Sequence, residues 1–117
     1  MSEEKTIRCA VVGVGRMGRH HARVYAQMDG VDFVGVVDHD ETRRNDIVEE
    51  WGGKAFATVE ELISEGVDAV TIATPTVYHL EVAEPLLECG IACLIEKPLA
   101  PTAEVAAAIA DAAEKGE

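Results

Sequence analysis

The six residues GVGRMG at 13–18 constrain the fold most. They follow TIRCAVV (6–12), a β-branched apolar run that reads as a strand, and open RMGRHHARVYAQM (16–28), which has helical spacing. A turn this short between strand and helix needs close backbone approaches that side chains would block. Gly13 allows the tight turn, Gly15 lets the main chain approach a pyrophosphate, and Gly18 lets the helix pack close to the strand. The free amides near Arg16 and Met17 would then meet phosphate oxygens at the positive helix end.

The same alternation continues along the chain. VDFVGVV (31–37) reads as a strand, and ETRRNDIVEEW (41–51) as a helix closed by Gly52 and Gly53. KAFA (54–57) is a short strand, and Thr58 with Glu61 forms a capping box for a helix through Ser64, with Gly66 behind it. DAVTIA (68–73) is the fourth strand, a helix covers 77–88, and IACLI (91–95) is the fifth strand. A last helix is expected over 103–114, capped by Thr102 and ended by Gly116. The first helix is expected to present Met17, Val24, Tyr25 and Met28 on one face, and Pro85 to kink the fourth.

Strands this continuously apolar belong to a parallel sheet covered on both faces. Right-handed crossovers make it a doubly wound α/β (Rossmann) fold, with expected strand order 3-2-1-4-5 and an end before any sixth strand. Ligands of such sheets bind at the carboxyl ends of the strands, where the order reverses. The candidate functional residues are therefore those leaving each strand.

Composition narrows the partners. A chain of 117 residues fits one domain, and 48% hydrophobic with 4% aromatic residues means an interior of Val, Ile, Leu and Ala. A formal net charge of −12 opposes binding to nucleic acid or an anionic membrane. No stretch approaches the ~20 apolar residues of a membrane span. The opening MSEEKT has no secretory pattern, so a cytoplasmic location is expected. Cys9, Cys89 and Cys93 match no zinc spacing and read as reduced, buried thiols, with no metal site expected.

Asp38 ends the second strand, twenty positions beyond Gly18. There it would accept hydrogen bonds from the hydroxyls of an adenosine ribose and repel a 2′-phosphate, favouring NAD over NADP. Arg43 and Arg44 follow but are expected to face solvent from the next helix. Between Lys5 and Met28 no acidic residue occurs, although the chain holds 22. Lys5, Arg8, Arg16, Arg19 and Arg23, with His20 and His21, would surround the loop with positive potential, unless they are simply solvated residues.

After the fourth strand comes ATPTVYH (73–79), adjacent to the glycine loop in this order. Pro75 holds Thr74 extended and out of the helix. His79 falls in the first helical turn, where a structural hydrogen-bonding role is commoner than a catalytic one. After the fifth strand come Glu96, Lys97 and Pro98. Adjacent strand residues point to opposite faces, so Glu96 and Lys97 should not simply pair. Lys97 either presents an ammonium that holds a substrate hydroxyl and exchanges a proton, or reaches past the strand end to water.

Taken together, GVGRMG, Asp38, ATPTVYH and EKP resemble the glucose–fructose oxidoreductase/inositol dehydrogenase (Gfo/Idh/MocA) family, over essentially the whole chain. The resemblance implies a nicotinamide-binding domain in which Lys97 helps bind substrate and assists proton transfer. It places Glu96 and Ala73-Thr74-Pro75 beside the cofactor and Asp38 at the adenosine ribose, and His79 is counted with them as a candidate cofactor-binding residue. It also implies a further α/β domain, expected to be absent here, that forms the substrate wall and usually a dimer interface. The parent enzyme would oxidise a sugar, cyclitol or nucleotide sugar as a homo-oligomer, and this domain alone would bind NAD(H) with little turnover. A stand-alone redox-sensing module or split-enzyme subunit is the alternative. A methyltransferase, which also uses a glycine loop, lacks EKP and this glycine spacing.

Overall fold

The computed structural model of the chain describes residues 7–74 and 78–95, with the backbone alone for Arg16. The helix expected over 103–114, together with Lys5, Pro75, Glu96, Lys97 and Pro98, lies outside the described residues.

Among the described residues nine elements alternate: β1 Ile7–Val12, α1 Arg16–Gln27, β2 Val31–Val37, α2 Glu41–Trp51, β3 Lys54–Phe56, α3 Val59–Glu65, β4 Ala69–Ile72, α4 His79–Glu88 and β5 Ala92–Ile95. All strand pairs are parallel and the order is β3-β2-β1-β4-β5, as the sequence pattern requires. One face carries α1 and α2 over Val11, Val14, Ala22, Val36 and Ile47. The other carries α3 and α4, with Leu62, Ala83 and Leu86 against Val12, Val70 and Ile72. Full burial of side chains such as Ile47, Leu62 and Leu86 stabilises by roughly 1.5–3 kcal/mol each. Among the described residues no helix is long and apolar enough to cross a membrane.

Local signals explain the helix ends. Asp40 caps α2 by accepting from the Arg43 amide at 3.1 Å, and Thr58 caps α3 by accepting from the Glu61 amide at 3.2 Å. Glu61 answers with its carboxylate, which accepts from the Ala57 amide at 2.9 Å. The fourth helix runs through Pro85 as one element.

The buried stripe of α1 differs from the expectation. Met17 and Met28 are 49% and 45% exposed, whereas Gly18 and Ala22 are buried. A Cβ on Gly18 would sit 1.7 Å from the Gly13 carbonyl oxygen, so the helix rests on its smallest residues. The Tyr25 hydroxyl extends that stripe and hydrogen-bonds to the Thr71 hydroxyl on β4. Hydrophobicity alone favours the methionines, but close helix–sheet contact selects small side chains.

A bulge in β2 then sets the site. Pairing with β1 runs Cys9↔Phe33 and then Ala10↔Gly35, leaving Val34 as an extra residue. Gly35 is required there, because a Cβ would lie 2.0 Å from the Lys54 carbonyl oxygen. Beyond the bulge the alternation reverses, so Val36 faces α1 and α2 while Val37 faces α3 and α4. The next residue, Asp38, consequently turns toward the loop that begins α1.

Candidate functional site

Level strand ends bring the loops together: Val12 pairs with Val37 on one side and Ile72 on the other. The Gly13 amide donates to the Val37 carbonyl at 2.7 Å, and the Ala73 amide to the Val12 carbonyl at 2.8 Å. Above these ends opens a cleft of about 890 Å³, within the size range of small-molecule sites. Gly13, Gly15, Met17, Asp38, Ala73 and Thr74 all line it, so the structure brings these sequence-predicted residues together.

Each glycine has a measurable reason. Gly13 has φ of +88°, and a Cβ there would lie 2.9 Å from Thr74 Cγ2. Gly18 is closed against Gly13, as described. A Cβ on Gly15 would meet only the Arg43 Nη1 at 3.8 Å, so the main chain there is open to the cleft. The first turn of α1 contains no acidic residue of its own to compete for its positive end.

Asp38 is 6% exposed, and both its carboxylate oxygens are engaged. Oδ2 accepts from the Val14 amide at 2.9 Å, and Oδ1 from the Asp40 amide at 2.8 Å. The carboxylate thus clamps the glycine loop to the β2 end. Each oxygen retains a second lone pair, so a ribose hydroxyl can still be bound from the cleft.

The two arginines on α2 do not simply face solvent. Arg44 Nη1 donates to the Asp38 carbonyl at 3.0 Å and the His39 carbonyl at 3.4 Å, fixing the end of β2. Arg43 lines the cleft beside Gly15, its Nε 3.5 Å from Asp40 Oδ2. The Arg43 amide chiefly, and its guanidinium next, hold the Asp40 carboxyl below the usual carboxylate range. A sequence signal existed for Arg43: it lies three residues past an N-cap aspartate, on the helix that follows the acidic strand end.

The expected ring of positive charge is only partly realised. Arg8 lies at the opposite edge of the sheet, 3.5 Å from Asp32 and 3.6 Å from Glu65. Arg23 instead contacts the His20 Nδ1 at 3.1 Å on the outer surface of α1. One-dimensional proximity to the loop had grouped residues that the strand separates by its whole length. The thiols also differ from expectation: Cys9 is buried, Cys93 is half-buried with burial pushing it up to about 11, and Cys89 is exposed.

His79 is 1% exposed and sits behind Thr74, with its Nε2 3.0 Å from the Thr74 carbonyl oxygen. Tyr78, exposed beside it on the cleft wall, carried no recognised sequence signal beyond being an aromatic residue at a helix start. Among the described residues no group of three His, Cys, Asp or Glu side chains could hold a metal ion.

Comparison with known proteins places this geometry. Residues 7–117 match the family model described as oxidoreductase family, NAD-binding Rossmann fold (GFO_IDH_MocA). The UDP-N-acetylglucosamine 3-dehydrogenase of Acidithiobacillus ferrooxidans is 40% identical over 109 residues, 93% of this chain and 34% of that protein. An inositol 2-dehydrogenase of an Arthrobacter species is 41% identical, over 95% of this chain and 34% of its own length. The solved structure of GenD2 from gentamicin A biosynthesis, in complex with NAD, superimposes with a TM-score of 0.89 at 33% identity, covering 98% of this chain and 34% of that one. The chain therefore spans about a third of the length of the relatives it matches.

Proposed function

Because the chain belongs to the Gfo/Idh/MocA oxidoreductase family by its NAD-binding Rossmann fold, we propose that it is the cofactor-binding domain of an NAD-dependent dehydrogenase acting on a sugar, cyclitol or nucleotide sugar. One observation carries the reading: Asp38 and the open backbone of Gly15 line one cleft at the N-terminus of α1, whose first turn holds no acidic residue.

The residues fit a dinucleotide. Gly15 leaves the space a Cβ would fill, the first turn of α1 has no competing carboxylate, and the Thr74 Oγ1 is buried without a partner among the described residues. The amides opening α1 bind the diphosphate, and the remaining lone pairs of Asp38 take the adenosine ribose hydroxyls. A carboxylate at that point disfavours a 2′-phosphate, so NAD is preferred to NADP. Arg43 lines the same cleft with its Nε paired to Asp40.

NAD, when bound, supplies the acceptor for a hydride from the substrate's carbinol carbon. Lys97 is assigned to hold the substrate hydroxyl and exchange its proton, with Glu96 and Pro75 bordering the cofactor. The substrate wall and homo-oligomer contacts are assigned to the part of the relatives' length that this chain does not span. A reducing cytoplasm suits its free thiols.

Fluorescence titration with NADH and NADPH tests the proposal. Saturable NADH binding with weaker NADPH binding is expected. Equal or tighter NADPH binding would overturn the role of Asp38, and no binding by the folded chain would overturn the cofactor assignment.

A further inference from the structure

Among the described residues, Thr74 Oγ1 is the one side-chain polar atom that is buried without a hydrogen-bond partner. Such a group is costly and calls for an explanation. Two hydrogen bonds hold the main chain at this point. The Ala73 amide is tied to β1 at 2.8 Å, and His79 Nε2 donates to the Thr74 carbonyl at 3.0 Å. His79, at 1% exposure, is itself fixed in the interior. The Thr74 methyl meanwhile faces Gly13, with Cγ2 2.9 Å from the point a Gly13 Cβ would occupy. Rotation about χ1, which has three staggered wells, is the motion that would re-aim the hydroxyl.

We propose that the Thr74 hydroxyl is a cofactor-responsive rotor: unpaired in the free protein, it turns to donate to an oxygen of the bound dinucleotide, with His79 as the positioning residue that holds its pivot. The inference rests on the dinucleotide reading above and deepens it. Strand order decides which half is contacted. Asp38 follows β2 and Thr74 follows β4, on opposite sides of β1 and its glycine loop. A dinucleotide with its adenosine at Asp38 and its diphosphate on the loop brings its nicotinamide-side ribose and phosphate to Thr74. The free protein thus carries an unsatisfied group that the cofactor satisfies, so stability and affinity respond oppositely to its removal.

The test uses Thr74→Val in the 117-residue chain. Valine keeps the side chain's shape and removes the hydroxyl. The variant should match or exceed the unsubstituted chain in thermal midpoint, bind NADH about five- to tenfold more weakly, and bind AMP unchanged. His79→Gln, which keeps an amide donor, should bind NADH within about twofold of the unsubstituted chain. His79→Leu should weaken NADH binding, but add no further weakening when combined with Thr74→Val. Unchanged NADH affinity in Thr74→Val, or a loss of stability with it, would overturn the rotor. Additive effects of the two substitutions would overturn the positioning role. Failure of the unsubstituted chain to bind NADH would instead overturn the dinucleotide reading.

Discussion

The two edges of the sheet draw on similar polar residues and use them in opposite ways. At the amino edge, Arg8 bridges Asp32 at 3.5 Å and Glu65 at 3.6 Å, and Lys54 reaches Glu65 at 3.1 Å. Asp68 adds a bond from the Arg8 amide at 2.9 Å. Polar groups there satisfy one another, which ties β1, β2, β3 and α3 together. At the carboxyl edge the first turn of α1 holds no acidic residue of its own, Gly15 leaves a gap, and the Thr74 hydroxyl is unpaired among the described residues. Mutual satisfaction serves cohesion, and incomplete satisfaction leaves binding capacity for a ligand.

Substitutions at the two edges should therefore separate stability from binding. The largest effect is expected where both depend on one contact. Gly18→Ala forces a Cβ to 1.7 Å from a backbone oxygen that cannot rotate away. It should cost about 3 kcal/mol in urea unfolding and abolish NADH binding. A stable, binding-competent Gly18→Ala protein would break the account of the loop. Asp38→Asn comes next. An amide cannot accept from both the Val14 and Asp40 backbone N–H groups, so stability should fall by about 1–2 kcal/mol. NADH affinity should drop about tenfold, and the NADPH-to-NADH affinity ratio should rise.

Arg8→Met sharpens the comparison from the other side. Its ion pairs are partly exposed, so at most about 1 kcal/mol should be lost, with NADH affinity unchanged. A change in affinity would mean the edges are coupled. The smallest effect concerns acid pH. The folded protein depresses the Asp40 pKa, chiefly through the Arg43 amide. Its stabilisation is therefore present above the ordinary carboxylate value and lost as pH falls through the depressed one. Asp40→Asn keeps a cap but cannot titrate, so it should flatten that part of the acid limb in a pH-dependent melting series.

Much of this division was legible in the sequence, for identifiable reasons. β-Branched runs alternating with helical spacing dictate a parallel, doubly wound sheet, and GVGRMG with Asp38 marks its ligand edge. The parts not read depend on three-dimensional fit. The small-residue stripe of α1 was hidden behind the greater hydrophobicity of Met17 and Met28. Gly35, isolated inside a strand, was the signal for the bulge that aims Asp38. Arg8 is near the glycine loop in sequence, yet β1 carries it to the far edge. The Thr74 hydroxyl gives no sequence sign of lacking a partner, since that depends on the rotamer and its neighbours.

Backbone amide hydrogen exchange with and without saturating NADH tests the central claim most directly. Added protection should concentrate at Gly13–Arg19, at Asp38–Asp40 and at Ala73–Thr74, while the Arg8, Asp68 and Ala92 amides at the amino edge stay unchanged. Protection centred on the amino edge, or spread evenly over the sheet, would contradict the assignment of binding to the carboxyl edge.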